Sequence, residues 1–229
     1  MLIRILRMIC VSCTCLLAQQ SPQDSQVLPL LTPAEDSINE TVRAARAKRF
    51  NVRLPYSMLE RSPGRVGYPY ITKKYAFQPE LPLDQVDTVI VGEIMRVQPF
   101  LSADGKGLYC EYTVKILDRI KASAPAVVVP GDTLTVVRGG GAARLPDGRE
   151  VKHRITNDVV PRVGNQYLAF LVYRPSLEGF EYSKLWGIEA GAMKPVYPDD
   201  IGRQQRGESQ YAGKPLADIV LHLKSTVSR

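Results

Sequence analysis

The stretch VDTVIVGEIMRVQPF (residues 86–100) shows the period-two alternation that is typical of a β-strand. The run is long for a single strand, and Gly92 lies near its middle. A glycine inside a strand is typical of a bulge or of the sharp bend at a barrel corner. We therefore expect this segment to be the long, bent first strand of a β-barrel.

The alternation predicts five further strands, at residues 108–116, 133–138, 149–155, 165–173 and 180–188. The segment NQYLAFLVY (residues 165–173) is apolar on both faces, which indicates a central strand. The connections are of the hairpin type, and the alternation of strands and helices that is typical of a parallel sheet is missing. The predicted fold is mainly β, a small antiparallel OB-like barrel (residues 84–198) with flanking N- and C-terminal helices.

Helix signals lie on both sides of the predicted barrel. Thr32-Pro33-Ala34-Glu35 reads as a capping box, which predicts a helix running to about Lys48. This helix and the Pro- and Tyr-rich segment after it form a predicted arm, residues 32–83. At the other end, residues 199–229 begin as a loop. Pro215 then opens a helix with one apolar stripe, formed by Leu216, Ile219, Val220 and Leu223.

The first 18 residues have the pattern of a secretory signal peptide. Arg4 and Arg7 precede a short apolar run (residues 8–17), and Ala18 suits the cleavage point. The run is about half of the ~20 residues that a spanning helix needs, so we expect no transmembrane segment in the mature chain. The sequence predicts a secreted or periplasmic protein with a flexible leader at residues 19–31. A lipidated cysteine is a weaker alternative.

Four motifs carry a resemblance to a known group of domains: LPLDQVDTVIVGEIMRV, YTVKILDRIKA, GDTLTVVRGGG and VGNQYLAFLVY. Together they resemble uncharacterised secreted bacterial domains with barrels of the OB-fold or netrin/TIMP-like type. The resemblance covers roughly residues 82–195 and rests on core and turn positions, so it implies a fold more than a function. Metalloproteinase inhibitors of this type use a disulfide-tied N-terminal cysteine. That mechanism does not transfer, because Cys110 is the only cysteine after residue 18.

The segment VVRGGGAARLPDGREV (residues 136–151) has two interpretations. Gly139, Gly140 and Gly141, with Arg138 before them, resemble a backbone nest that binds anions. The alternative is a hairpin, in which the glycines end a strand and Pro146-Asp147-Gly148 turns the chain. A phosphate-binding loop needs a Lys-Ser/Thr pair and a following helix, and both are missing here. We favour the hairpin and keep the anion site as the alternative.

Catalytic and metal-binding patterns are not apparent in the sequence. Cys110 is in register with Leu108 and Tyr112 on the predicted core face, which favours a buried, unreactive thiol. A dyad of Cys110 with His153 has no supporting local motif. Asp199 and Asp200 lie by a predicted turn, and we interpret them as caps and solvated loop residues rather than as an acid/base pair. We expect no catalytic residue, no cofactor and no metal ion.

Positive charge is concentrated in one segment of this +7 chain, since residues 43–75 contain nine Lys/Arg and one acidic residue. Basic residues interleaved with tyrosines bind polyanions by charge and stacking. We favour the other interpretation, a solvated, loosely docked arm whose tyrosines pack on the barrel, and keep polyanion binding as the alternative. The candidate contact residues in this arm are Arg49, Arg53, Arg61, Arg65, Lys73, Lys74, Tyr68 and Tyr70.

The sequence therefore favours a secreted or periplasmic, non-catalytic binding or interaction module. Its partner would be an unknown protein or an envelope polyanion, and we expect no specific nucleic-acid binding. One alternative is binding of envelope glycans or lipids through the basic residues 43–75. The other is an enzyme without a recognisable motif.

Overall fold

The structure is a computed structural model that describes residues 28–29, 40–51, 79–123, 128–153 and 159–228. The strands are β1 (Leu28–Pro29), β2 (Thr88–Leu101), β3 (Leu108–Ala122), β4 (Thr133–Gly139), β5 (Gly141–Arg144), β6 (Glu150–His153), β7 (Gln166–Arg174), β8 (Gly179–Glu189) and β9 (Ala192–Pro195). The helices are α1 (Glu40–Arg49), α2 (Pro198–Gln205) and α3 (Leu216–Val227). None of the helices in these residues is long and apolar enough to span a membrane.

Six strands form one antiparallel sheet in the order β4-β3-β2-β7-β8-β9. The sheet curls until β4 meets β8, where Val136 and Val137 pair in parallel with Phe180 and Glu181. This short contact joins five strands into a partly closed ring. The predicted fold class, mainly β with a small antiparallel barrel and flanking helices, is confirmed.

The predicted bend of β2 is also confirmed. β2 pairs with β3 along its whole length, but it pairs with β7 only from Thr88 to Glu93. The β2–β3 register shifts between Val91 and Gly92. A Cβ atom on Gly92 would lie 2.6 Å from Cγ1 of Val114, which is closer than carbon atoms approach. The missing side chain therefore lets β3 approach the bend.

Two apolar layers lie on the two faces of the sheet. The inner layer draws on all five ring strands and fills the ring. The outer layer lies between the sheet and α3, which contributes Ile219 and Leu223. β7 supplies both layers, with Ala169 and Leu171 inside and Leu168 and Phe170 outside, as expected for a central strand.

Several elements differ from the predicted ones. β3 continues to Ala122, and β5, β9 and α2 were not predicted. Leu28–Pro29, within the predicted leader, pairs in parallel with β5. α1 ends at Arg49, close to the predicted end, whereas the capping box at residues 32–35 lies outside the described residues.

The close approach at Gly92 predicts a steric effect on stability. Gly92→Ala should lower the free energy of unfolding by about 1–3 kcal/mol, because the new Cβ forces apart two packed strands. Adding Val114→Ala should make the double variant less destabilised than the sum of the single ones. Gly202→Ala is the control, since its Cβ would meet only the guanidinium end of Arg206. Urea denaturation measures the free energy of unfolding of the two single variants, the double variant and the control. Additive losses at Gly92 and Val114 would contradict the steric explanation.

Candidate functional site

The glycine-rich segment forms the hairpin that we favoured. β4 ends at Gly139, and β5 then pairs antiparallel with β6. Gly140 and Gly141 have φ angles of 83° and 136°, which glycine adopts readily. The Gly140 N–H donates to the Leu108 carbonyl oxygen at 2.8 Å, so this amide is used within the fold. Arg138 is buried, with 8% of its surface exposed.

The thiol of Cys110 is a core group, as the sequence indicated. Its side chain is buried in the inner layer, where the Cα of Gly141 packs against Sγ. Burial raises the pKa of this thiol to about 12, although Arg138 and Tyr112 act in the opposite direction. Because the thiolate is the reactive form, Cys110 is unreactive at neutral pH.

His153 has a structural role at the first residue of β3. The imidazole is buried, and its Nδ1 accepts a hydrogen bond from the Leu108 N–H at 3.3 Å. An accepting Nδ1 requires the neutral ring with the proton on Nε2. Burial lowers the pKa of His153, and the nearby Arg138 lowers it further.

Most of the described arginines in the basic segment are used to dock α1. Arg46 is buried, donates to the carbonyl oxygens of Leu177 (2.8 Å) and Glu178 (3.1 Å), and lies 3.0 Å from the Glu111 carboxylate. The Arg43 guanidinium lies 4.4 Å from the centre of the Phe100 ring.

The predicted contact residue Arg49 belongs to the same docking contact, because it pairs with Glu181 at 3.2 Å. The candidates Arg53, Arg61, Arg65, Tyr68, Tyr70, Lys73 and Lys74 lie outside the described residues. Among the α1 arginines, Arg43 and Arg46 are buried against the barrel, whereas the Arg49 side chain keeps 53% of its surface exposed.

A groove outside the barrel was not predicted. It has a cavity of about 500 Å³ between residues 79–81 and a second wall formed by Arg203, Glu208, Gln210 and Tyr211. Cavities of this size are typical of small-molecule sites. Within the described residues, no group of three His, Cys, Asp or Glu side chains is arranged to hold a metal ion.

A bulge in β8 creates the floor under this groove. Lys184 pairs with Phe170 and Tyr182 pairs with Leu171, so Ser183 is the extra residue between them. The extra residue reverses the alternation, and Lys184 and Trp186 therefore face outward although Tyr182 packs against the inner layer.

Both outward-facing side chains donate hydrogen bonds to the groove wall formed by residues 79–81. Trp186 donates from Nε1 to the Glu80 carbonyl oxygen at 2.9 Å, and Lys184 donates to that of Pro79 at 3.2 Å. Lys184 also forms an ion pair of 3.1 Å with Asp200 of α2, and both side chains are at most 5% exposed. Our interpretation of Asp200 as a solvated loop residue is therefore wrong. α2 carries it into contact with Lys184.

The opposite wall is tied to Glu80. Its carboxylate accepts from Ser209 Oγ at 2.6 Å and from the Gln210 N–H at 3.1 Å. The Tyr211 ring packs edge-to-face against Trp186, with 6.5 Å between ring centres. The groove is thus preorganised by hydrogen bonds and ring packing, rather than being a gap between mobile loops.

Sequence reasoning had no signal for this site. Lys184 lies in a predicted strand without a motif, and Glu80 lies in a segment that was interpreted as irregular. Comparison with known proteins assigns no family, since no protein-family model matches the chain and none of the curated proteins matches it.

The buried ion pair predicts a large effect for a single change. Lys184→Met should lower the free energy of unfolding by about 3–5 kcal/mol, because it leaves the Asp200 carboxylate buried and unpaired. The double variant Lys184→Met/Asp200→Leu should recover most of that loss. Lys194→Met is the matched control, since Lys194 pairs with Glu189 on the surface and should cost less than about 1 kcal/mol. Urea denaturation followed by Trp186 fluorescence tests this, and equal losses for both lysine variants would refute it.

His153 predicts a specific dependence of stability on pH. Its folded pKa is depressed, so its stabilising contribution is complete above the unfolded pKa of about 6.5 and is lost as the pH falls below that value. His153→Gln should therefore reduce the loss of stability between about pH 7 and pH 5. His222→Gln, at the exposed second histidine of the chain, is the matched control variant.

An NMR titration of the unmodified protein checks the same point without relying on a variant that folds. The His153 imidazole signal should titrate below the ordinary value of about 6.5. A His153 signal that titrates at or above the normal value would contradict the proposed role.

Proposed function

We propose that this protein is a secreted or periplasmic, non-catalytic binding module, and that the groove between residues 79–81 and Tyr211 is its ligand site. The observation that carries the proposal is the way the groove is built. Two buried side chains, Lys184 and Trp186, hold one wall through main-chain carbonyl oxygens. Ser209 and Gln210 tie the other wall to the Glu80 carboxylate. A preorganised groove loses little entropy when a ligand binds, which favours recognition.

The chemical groups near the groove favour binding over catalysis. A general acid or base must reach the reacting atom, and the most buried charged pair, Lys184 and Asp200, lies beneath the wall. The thiol of Cys110 belongs to the inner layer and is protonated at neutral pH. The groove lining combines apolar side chains with a few charged and amide groups, the composition that fixes a ligand in one orientation.

The single tryptophan of the chain is a direct reporter of this site. Its indole N–H donates to the wall residue Glu80, so a ligand in the groove should shift the indole signal in a ¹H–¹⁵N correlation spectrum. The experiment titrates the ¹⁵N-labelled mature chain with an ultrafiltered envelope extract from the cells that produce it. We expect shifts of the Trp186 indole and of the Gln210 and Tyr211 amides.

Gln210→Phe should abolish these shifts, because a ring would fill part of the groove. Gln204→Phe, an exposed position on α2 outside the lining, is the matched control and should retain them. Shifts that survive Gln210→Phe, or that map to a different surface, would overturn the assignment of the site. Turnover of an extract component would support the enzyme alternative instead.

A further inference from the structure

A tight turn in the second wall of the groove holds three polar side chains next to one another. Ser209 Oγ donates to one carboxylate oxygen of Glu80 at 2.6 Å and accepts from the Tyr211 N–H at 3.4 Å. The Gln210 N–H donates to the other carboxylate oxygen of Glu80 at 3.1 Å. These bonds fix Glu80 beside Gln210 and Tyr211, and all three residues line the groove.

Each of these three side chains keeps capacity for further hydrogen bonds. In the part of the chain that the structure describes, the Gln210 amide and the Tyr211 hydroxyl form no hydrogen bond, and both residues are at least partly exposed. An ionised carboxylate has about four acceptor positions, and Glu80 uses two of them. A ligand with several hydroxyl groups suits this set, because each hydroxyl group both donates and accepts.

The charges around the groove are balanced. Arg206 forms a two-point ion pair with Glu208, with both bonds at 2.8 Å. These bonds lower the pKa of Glu208, and the charge of Arg203 lowers it further, so both arginines act on this carboxylate. With Glu80, the groove and its edge therefore hold two acidic and two basic residues. A ligand with several charges of one sign gains little attraction from this arrangement, which favours a neutral ligand.

Tyr211 is the aromatic residue that a ligand can reach. Its ring packs edge-to-face against Trp186, which is completely buried, whereas Tyr211 is partly exposed. The face of an aromatic ring carries partial negative charge and attracts weakly positive C–H groups. Pro79 and Leu81 add apolar surface on the opposite wall. This lining suits a ligand with an apolar C–H face and hydroxyl groups at its edge, which is the arrangement of a sugar ring.

We infer that the groove binds a neutral oligosaccharide. One sugar ring would stack on Tyr211, and its hydroxyl groups would donate to Glu80 and bind the Gln210 amide. A further ring would lie against Leu81, since the cavity of about 500 Å³ is large enough for a ligand of more than one ring. This inference rests on the proposed function, because it names the ligand class of the same groove.

The test titrates the full mature chain with three neutral trisaccharides: maltotriose, cellotriose and triacetylchitotriose. Trigalacturonic acid, an anion, and spermidine, a cation, are the charged comparison ligands. Binding is measured by calorimetry and by the shift of the Trp186 indole signal. We expect at least one neutral trisaccharide to move that signal and to bind at least about tenfold more tightly than either charged compound.

Two polar variants test the hydrogen bonds to the sugar. Gln210→Ala removes the amide but keeps the main-chain N–H that donates to Glu80, so binding should weaken about threefold to tenfold while the wall stays intact. Gln204→Ala, at an exposed position on α2 outside the lining, is the matched control and should bind normally.

Glu80→Gln replaces a charged acceptor by a neutral one and should weaken binding at least about tenfold. The main-chain carbonyl group that accepts from Trp186 is unchanged, so the indole signal of the unliganded variant reports whether the wall is intact. Glu189→Gln, which removes an exposed charge outside the lining, is the control and should bind normally.

Two variants of Tyr211 separate stacking from hydrogen bonding. Tyr211→Phe keeps a ring against Trp186 and should retain most of the binding, whereas Tyr211→Leu should weaken it at least about tenfold. Saturation transferred from aromatic protons should reach the C–H groups of one sugar face in Tyr211→Phe and should be lost in Tyr211→Leu. Full binding by Tyr211→Leu would contradict the inferred stacking.

The outcomes separate this inference from the proposed function. The inference is overturned if none of the neutral trisaccharides binds, or if they bind and leave the Trp186 signal unmoved. If only spermidine, trigalacturonic acid or the envelope extract moves that signal, the inference fails and the groove remains a ligand site. If nothing moves the signal, both the inference and the proposed function fail.

Discussion

The fold depends on the close approach of β2 and β3 at Gly92. Since β2 pairs with β3 throughout and with β7 only as far as Glu93, the sheet turns around this strand. The turn brings β4 to β8, where a short parallel pair partly closes the ring. A Cβ atom at Gly92 would press on the Val114 side chain of β3, so the missing side chain permits the close approach of the two strands at this register shift.

The groove depends on a second local irregularity, the extra residue Ser183 in β8. Without it, Lys184 would point into the ring with Tyr182, where a charged amine has no suitable surroundings. With it, Lys184 and Trp186 reach the carbonyl groups of residues 79–80, and Lys184 meets Asp200 of α2. Two elements far apart in the sequence are thereby fixed on one side of the sheet.

The fold was accessible to sequence reasoning because periodic patterns report which face of a strand is buried. The apolar run at residues 165–173 identified the central strand, and Gly92 identified the bend. The groove was not accessible, because its contacts join Glu80, Lys184 and Ser209 across long sequence distances and use main-chain atoms. Asp200 was misjudged for the same reason. Its neighbours in sequence suggested a solvated loop, but its ion-pair partner lies 16 residues away on a bulged strand.

The basic segment shows why a run of positive charge differs from a positive surface. Arg43 and Arg46 are buried in α1, one over an aromatic ring and one against the Glu111 carboxylate and two carbonyl oxygens. Arg49 meets Glu181, which also pairs with Arg174. These arginines hold α1 against the barrel, because a guanidinium group carries several hydrogen-bond donors in a fixed plane and can bind several acceptors at once. Two of the four basic residues of α1 are therefore used inside the molecule, so a count of positive residues overstates the positive surface.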